Sequence, residues 1–449
     1  MQKKLNRTLY TELFKIALPV ALNNLVISSL SFVDTLMIGQ LGEVEIAAVG
    51  IGNQLFFLYT LLLFGIGSAS GIFVSQFWGK KDYSKIKKTS GLSVCLGLVA
   101  ASPFVICSLL IPEQIVSVFT KDDKVIVLGA EYIKTVGISY IFSSVSITMA
   151  QVQRSLERPM LPFLVSLIAL GLNTTLNYFF IFGKAGFPML GVKGVALATT
   201  ISRFVECVVM LILIYKGKEN PAAGSFRELF GFKVDFLKKF AVTAAPVILN
   251  EMFWALGMTV YKIVYGRMGT ESLASVNIAE SITNLLFIVI MGSATASAVL
   301  TGKKIGQGDY TSARKNGGKF LKLSLLEGIV VAFIGIAFSN ILPNGFNVSP
   351  ELKNNARLII IVFSLYMPFK AFNTHTIVGI LRGGGDTLFA AVIEIAGVWG
   401  VGVVLAVLTG LVFNFQIHIV YSFVCIEEVV KAIITLIRFK TGKWVHDLT

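Results

Sequence analysis

Apolar runs long enough to cross a bilayer, which takes about 17 to 25 residues each, recur along the whole chain, separated only by short charged or glycine-rich punctuation. The pattern predicts twelve helices, at about 14 to 38, 50 to 76, 90 to 111, 126 to 152, 160 to 182, 192 to 215, 241 to 265, 278 to 302, 320 to 341, 357 to 381, 388 to 410 and 415 to 437. No soluble domain falls between them, so whatever the chain does is done by the membrane bundle. An even number of spans puts both termini on one side. The expected fold class is therefore all-α, a polytopic membrane protein of twelve transmembrane helices.

The first run breaks its own pattern. Leu18 to Gly42 reads LPVALNNLVISSLSFVDTLMIGQLG, with Asp34 as the one charge inside it. An acid at the centre of a spanning helix costs about 2.5 to 3.5 kcal/mol on insertion scales, and intramembrane acids are functional candidates by default. Asn24, Ser28, Ser31 and Thr35 follow at spacings of four, three and four, with Asp34 beside them on one helical face. The bland alternative is that Asp34 pairs with a base to pack two helices.

The pattern also repeats. Sliding the chain by 227 residues without a gap, from Pro19 to Pro246, superposes Leu22 on Leu249, Asn23 on Asn250, Gly39 on Gly266 and Gly42 on Gly269. Farther on, Gly79, Asp82 and Tyr83 meet Gly306, Asp309 and Tyr310, and Gly91 meets Gly318. The shift spans six helices, so the halves share one orientation and are expected to be related by an axis along the membrane normal. This predicts two pseudo-symmetric six-helix lobes, 1–220 and 221–449, joined by a cytoplasmic linker at 216–240 and facing each other across a cavity. The repeat fails where chemistry is expected: Asp34 faces Tyr261, and Glu251 faces Asn24.

Composition sharpens the class. Of 449 residues 55% are hydrophobic and 14% charged, against about 25% charged in soluble domains, and the mean hydropathy is +0.78. The net charge of +14 is topological rather than a nucleic-acid signature. Lys80, Lys81, Lys85, Lys87 and Lys88, the stretch Lys216 to Lys239, and Lys303, Lys304, Arg314, Lys315 and Lys319 fall in even loops, while the odd loops carry few cations. The positive-inside rule then places both termini in the cytoplasm, and the expected location is the cell (inner or plasma) membrane. The four cysteines, Cys95, Cys107, Cys207 and Cys425, show neither CxxC nor Cys/His spacing and read as packing residues. The amino terminus runs into a span too long for a signal peptide and is expected to be retained.

These stretches resemble the multidrug and toxic compound extrusion (MATE) family, in its NorM-like bacterial branch, over essentially the entire chain. The carriers are the Leu18 to Gly42 segment, SQFWGKKDYSKIKK, LGLNTTLNYFFIFGKAGFPMLGVKGVALATTISR, AAPVILNEMFWALGMTVYKIVYGRMG and VGILRGGGDT. The resemblance implies two six-helix bundles arranged as a V, alternating access, and drug efflux driven by inward movement of Na+ or H+. Residue by residue, Asp34 matches the family's coupling acid, and Asn173 and Asn177 match positions that build a cation site with it. Thr199 matches a further member. Two amides, a carboxylate and a hydroxyl are hard oxygen donors suited to a small hard cation, and the i, i+4 spacing puts both amides on one face. That tilts the reading toward Na+, with Asp34, Asn173 and Asn177 as its ligands; interhelical packing by the two amides is the alternative. With H+ as the coupling ion, Asp34 itself would carry the proton.

The second half matches less closely. The family's acid about one turn after Glu251 is replaced by Trp254, so Glu251 is a displaced candidate for a C-lobe cavity or coupling role. Glu280, flanked by Asn277 and Asn284 and with no evident basic partner, is another. Asp386 is a third, at a helix end where capping or loop packing is at least as plausible. Arg203 with Glu206, Glu131 with Lys134, and Glu427 with Lys431 read as local ion pairs, and Lys262 and Lys370 reach for Glu251, Glu280 or the interface. The 35 Phe and 11 Met suit an aromatic cavity for organic cations, although most serve packing and lipid contact.

The reading is a cation-coupled efflux antiporter for organic cations or polyaromatic compounds, a secondary transporter and not an enzyme. It needs no cofactor beyond the coupling ion, no nucleic acid, and a monomer in the lipid bilayer. A flippase for a lipid-linked precursor is the alternative within transport, but the N-lobe offers only Lys134 and Arg203 for a pyrophosphate, each beside an acid. An intramembrane enzyme finds no HExxH, GxSxG or paired aspartates here, and of the three histidines His375 reads as a satisfied packing residue.

Overall fold

The computed structural model describes residues 2–184, 186–217, 220–346 and 348–449, without the side chains of residues 2–7, 31 and 32. Ser31 on the polar face of the first helix, Lys218 and Glu219 of the expected linker, and the first basic side chains thus lie outside the described residues.

Among the described residues the regular structure is almost entirely helical: α1 (Gln2–Ile38), α2 (Glu43–Lys80), α3 (Tyr83–Leu110), a short α4 (Pro112–Ser117), α5 (Asp123–Val136), α6 (Ser139–Ser155), α7 (Met160–Phe182) and α8 (Gly191–Lys216). A short α9 (Phe226–Phe230) leads into α10 (Val234–Arg267), α11 (Thr270–Gly306), α12 (Tyr310–Phe338), α13 (Pro350–Thr374), α14 (Thr387–Ile395), α15 (Val403–Val407) and α16 (Ile417–Thr441). π-Helical stretches at His375–Arg382, Ala396–Gly402 and Leu408–Val412 extend α13 and weld α14 and α15 into one span, Thr387–Val412. Among the described residues ten runs are long and apolar enough to cross a membrane, and the pair α5 and α6, bent by 53°, makes an eleventh. The twelfth apolar run of the sequence becomes α16, which carries Glu427, Glu428 and Lys431 within it.

The observed helices outrun the apolar windows at their ends, since polar turns continue the helix into water. Two of these ends are built alike. The Asp82 carboxylate accepts from Lys85 N at 3.1 Å to cap α3, and Asp309 accepts from Ser312 N at 3.1 Å to cap α12. Such caps satisfy a backbone N–H that the helix leaves orphaned.

The chain divides into two compact units: unit 1 is Met1–Ala21, Ser75–Lys81 and Ala241–Thr449, and unit 2 is Leu22–Val74 and Asp82–Phe240. The division departs from a single cut at residue 220 because the outer ends of α1 and α2 find their packing in unit 1. Leu9, Leu13, Ile16, Ala17 and Val20 of α1 share a core with Val299, Leu300 and Phe320. Gly79 of α2 lies against the Lys303 carbonyl and Gly306 of α11 against the Gln76 carbonyl. These two contacts are mates under the 227-residue shift, and neither site has room for a Cβ. Within unit 2, Tyr59, Leu63, Tyr132, Tyr140, Ile181 and Val195 form the main core.

Candidate functional site

The best-defined polar site of unit 2 begins with how α7 meets α8. Gly183, in the left-handed conformation at φ 62°, ends α7. Gly194 of α8 then packs against Phe180, where an added Cβ would lie 2.8 Å from the Phe180 Cβ and 2.9 Å from its carbonyl oxygen. That close approach places facing polar side chains of the two helices within reach of each other. Asn173 Nδ2 donates to Thr199 Oγ1 at 3.4 Å, and Asn177 Nδ2 donates to Asn173 Oδ1 at 3.0 Å. The same Asn177 Nδ2 donates to Asp34 Oδ1 of α1 at 2.6 Å. All four residues singled out in the sequence therefore lie on one hydrogen-bonded chain across α1, α7 and α8.

Burial makes this chain consequential. Asn173 and Asn177 are 1% and 0% exposed, while Asp34 and Thr199 are half-buried. A hydrogen bond to a charged group contributes about 1.5 to 3 kcal/mol, and an unmet buried acceptor costs about 1 to 3. The Asn177 Oδ1 has no partner. The amide nitrogen faces the carboxylate and the amide oxygen is left over. Rotation of that amide exchanges a donor for a second oxygen ligand beside Asp34, which is the chemistry a small hard cation requires. The oxygens of Asp34, Asn173, Asn177 and Thr199 fit such an ion.

Around it, Arg203 pairs with Glu206 at 2.7 Å and its guanidinium lies 5.6 Å from the Phe56 ring centroid. Glu131 corrects an expectation: it meets Lys193 of α8 at 3.5 Å and not Lys134 on its own helix. Of the polar face of α1, Ser28 and Thr35 are exposed and Asn24 is half-buried.

In unit 1 the three acids do not converge. Glu251 of α10 accepts from Arg382 Nη1 at 2.7 Å. The other arm of Arg382 meets Glu394 at 3.3 Å, and Glu394 also accepts from Asn250 at 2.9 Å. Glu280 has a basic partner after all, Lys262 at 3.2 Å, and Lys370 lies 5.1 Å and 5.0 Å from the ring centroids of Phe287 and Phe363. Asp386 is held by both arms of Arg438, at 2.7 and 3.1 Å. The expected Glu427 and Lys431 pair is present at 3.5 Å, and it continues to Glu428 at 3.3 Å, with Tyr261 donating to Glu427 at 2.8 Å. Glu394, Glu428 and Arg382 escaped the sequence reading. Their signal was the one that exposed Asp34, a charge inside an apolar run. Pairing such charges keeps them tolerable, since removing one partner of a buried pair costs about 3 to 5 kcal/mol.

Comparison with known proteins bears on the family and the fold. The MatE family model matches twice, over residues 19–179 and 246–408, and the two matches begin the same 227 residues apart. Among curated relatives, an uncharacterized transporter, YisQ, of Bacillus subtilis is 24% identical over 97% of this chain and 95% of its own. A probable multidrug resistance protein NorM of Thermotoga maritima is 25% identical over 96% and 92%. Among solved structures, the Vibrio cholerae MATE transporter VcmN covers 98% of both chains with a TM-score of 0.89 at 16% identity. A MOP superfamily transporter from Pyrococcus furiosus covers 96% of this chain and 95% of its own with a TM-score of 0.86 at 18% identity. At those identities the solved structures bear on the fold alone.

Proposed function

The chain belongs to the MatE family of membrane transporters, and on that premise we propose that it is a secondary active antiporter that exports organic cations or polyaromatic compounds. Inward movement of a coupling cation drives export. The observation that carries this reading is the hydrogen-bonded chain of Asp34, Asn177, Asn173 and Thr199, in which one carboxylate is backed by two buried amides. In this reading Asp34 alternates between holding the coupling ion and releasing it. Two neutral amides in place of further carboxylates favour Na+ over H+, because amide oxygens supply ligands without adding charge. No cofactor takes part, both termini are cytoplasmic in the plasma membrane, and the working unit is a monomer.

The flippase alternative loses three of the described bases, although Glu131 leaves Lys134 for Lys193. Arg203, Arg382 and Lys431 each face at least one carboxylate within 3.5 Å, which neutralises the charge that a pyrophosphate would need.

The test is retention of a fluorescent organic cation in cells stripped of their own efflux pumps. Expression of the wild-type chain lowers retention, and Asp34→Asn at equal membrane abundance restores it. Equal retention with and without the wild-type chain would remove the drug-export reading.

A further inference from the structure

A second polar site lies in unit 1, apart from the ion pairs described above. Glu327 of α12 is the one charged residue between Leu323 and Phe338. The adjacent Gly328 lets α12 close onto α13, where an added Cβ would lie 2.6 Å from Pro368 Cα and 3.0 Å from the Met367 carbonyl. Just beyond, α13 loosens into its π-helical stretch, which begins at His375; such stretches often accompany functional sites.

The hydrogen-bond inventory of this group does not balance without one more proton. His375 is fully buried, and its Nδ1 lies 3.1 Å from the Ala371 carbonyl, which only accepts. The ring proton of a neutral imidazole is therefore on Nδ1, and Nε2 presents a lone pair. That Nε2 has no hydrogen-bond partner and lies 3.6 Å from Glu327 Oε2. Ser293 Oγ of α11 lies 2.7 Å from the same Oε2 and 3.1 Å from the Ile290 carbonyl. Its single proton serves only one of them. With a carboxylate at 327, a nitrogen lone pair would face an anion inside the membrane with nothing between them.

We propose that Glu327 and His375 form a proton-binding site of unit 1: the carboxylate takes up a solvent proton (as hydronium gives it) on Oε2 and becomes a neutral acid, whose O–H is directed at the Nε2 lone pair of His375 while the Ser293 hydroxyl donates to Oε2. A neutral acid facing a neutral imidazole avoids the desolvation of an ion pair, which burial makes expensive. The elements packed against α12 are α11, α13 and the π-helical stretch after it. Among the described residues His375 is the basic group in ion-pair reach of the Glu327 carboxylate; the π-helical stretch that carries His375 also packs on α14 and α16, and Glu394 of α14 is engaged with Arg382 and Asn250. On α16, which packs against α13, Glu427, Glu428 and Lys431 are engaged with one another, Tyr261 and Asn373. The site stands on the geometry of unit 1 and holds whichever ion drives transport.

The test is infrared difference spectroscopy of the purified full-length protein, stepped between mildly acid and mildly alkaline pH. One carbonyl band of a protonated carboxylic acid is expected to be lost in Glu327→Gln. In His375→Gln it is expected to keep its place in the spectrum count but to shift in frequency and in pH midpoint. A Glu327→Gln spectrum that keeps every wild-type band would overturn the assignment, as would His375→Gln with frequency and midpoint unchanged. In wild-type protein carrying nitrogen-15 histidine, Nε2 of His375 should read as an unprotonated nitrogen accepting a hydrogen bond. An imidazolium signal there would place the proton on the ring and contradict the proposal without any variant.

Discussion

At Asn177 one side chain does two things that conflict. Its Nδ2 donates to the Asp34 carboxylate at 2.6 Å, while its Oδ1 stays buried without a partner. A cation that draws the oxygen inward relieves that deficit and competes with the donated bond. Asp34→Asn should therefore leave abundance and folding near wild type and remove coupled efflux; coupled efflux persisting in that variant would contradict the assignment. Asn177→Ala removes both the donor and the spare oxygen, so Na+ dependence of efflux should weaken by several-fold. An unchanged Na+ response would reduce this amide to packing. Asp34 was legible as an acid in an apolar run, whereas Asn173 and Asn177 were singled out by the resemblance to the family, with which their i, i+4 spacing agrees. The partner of Glu131 was not legible, because the competition between Lys134 and Lys193 is decided by how α5 packs on α8. The same holds for Glu251 and Arg382, which lie 131 residues apart.

Helix ends carry the next set of consequences. The caps at Asp82 and Asp309 have the same bond, so Asp82→Ala and Asp309→Ala should each cost about 1 kcal/mol, read as a lowered thermal midpoint in detergent. A loss at one cap only would show that the two ends are not equivalent. At α9, Ser225 and Glu228 form a capping box, and Glu228 also accepts from Lys87 at 2.7 Å. The Lys87 ammonium first, and then the Ser225 donors, hold the Glu228 carboxyl down from 4.5 to about 2. A carboxyl depressed on folding contributes its stabilisation fully above its unfolded value and loses it as pH falls through the folded one. Docking of α9 onto α3 should thus be constant above about pH 5 and loosen on acidification toward about pH 2, seen as faster amide exchange at residues 225–230. Glu228→Gln should remove that pH dependence; an unaltered acid profile would assign the docking to packing alone. Apolar periodicity located all twelve helices but not their lengths, since it falls silent in the polar outer turns. It also missed the break between α5 and α6, which lies inside an apolar run.

For the molecule as a whole, the internal repeat is both the clearest sequence signal and a structural constraint. Gly79 and Gly306 stand at equivalent positions, each against the backbone of the other's helix. Gly306→Leu must push those backbones apart, a kind of overpacking that costs about 1 to 3 kcal/mol or more; a wild-type thermal midpoint in that variant would show that the approach is looser than described. The repeat was legible residue by residue. The lodging of the outer ends of α1 and α2 in unit 1 was not, because Leu13 meets Phe320 in a core that no local pattern encodes.

The central claim is that a cation held at Asp34 drives export by this MatE chain. The most direct test is efflux of a fluorescent organic cation from proteoliposomes under an imposed Na+ or pH gradient, with wild type and Asp34→Asn side by side. The account predicts gradient-driven efflux by wild type alone, with the effective gradient identifying the coupling ion. Efflux of equal rate in both proteins, or none in wild type under either gradient, would contradict it.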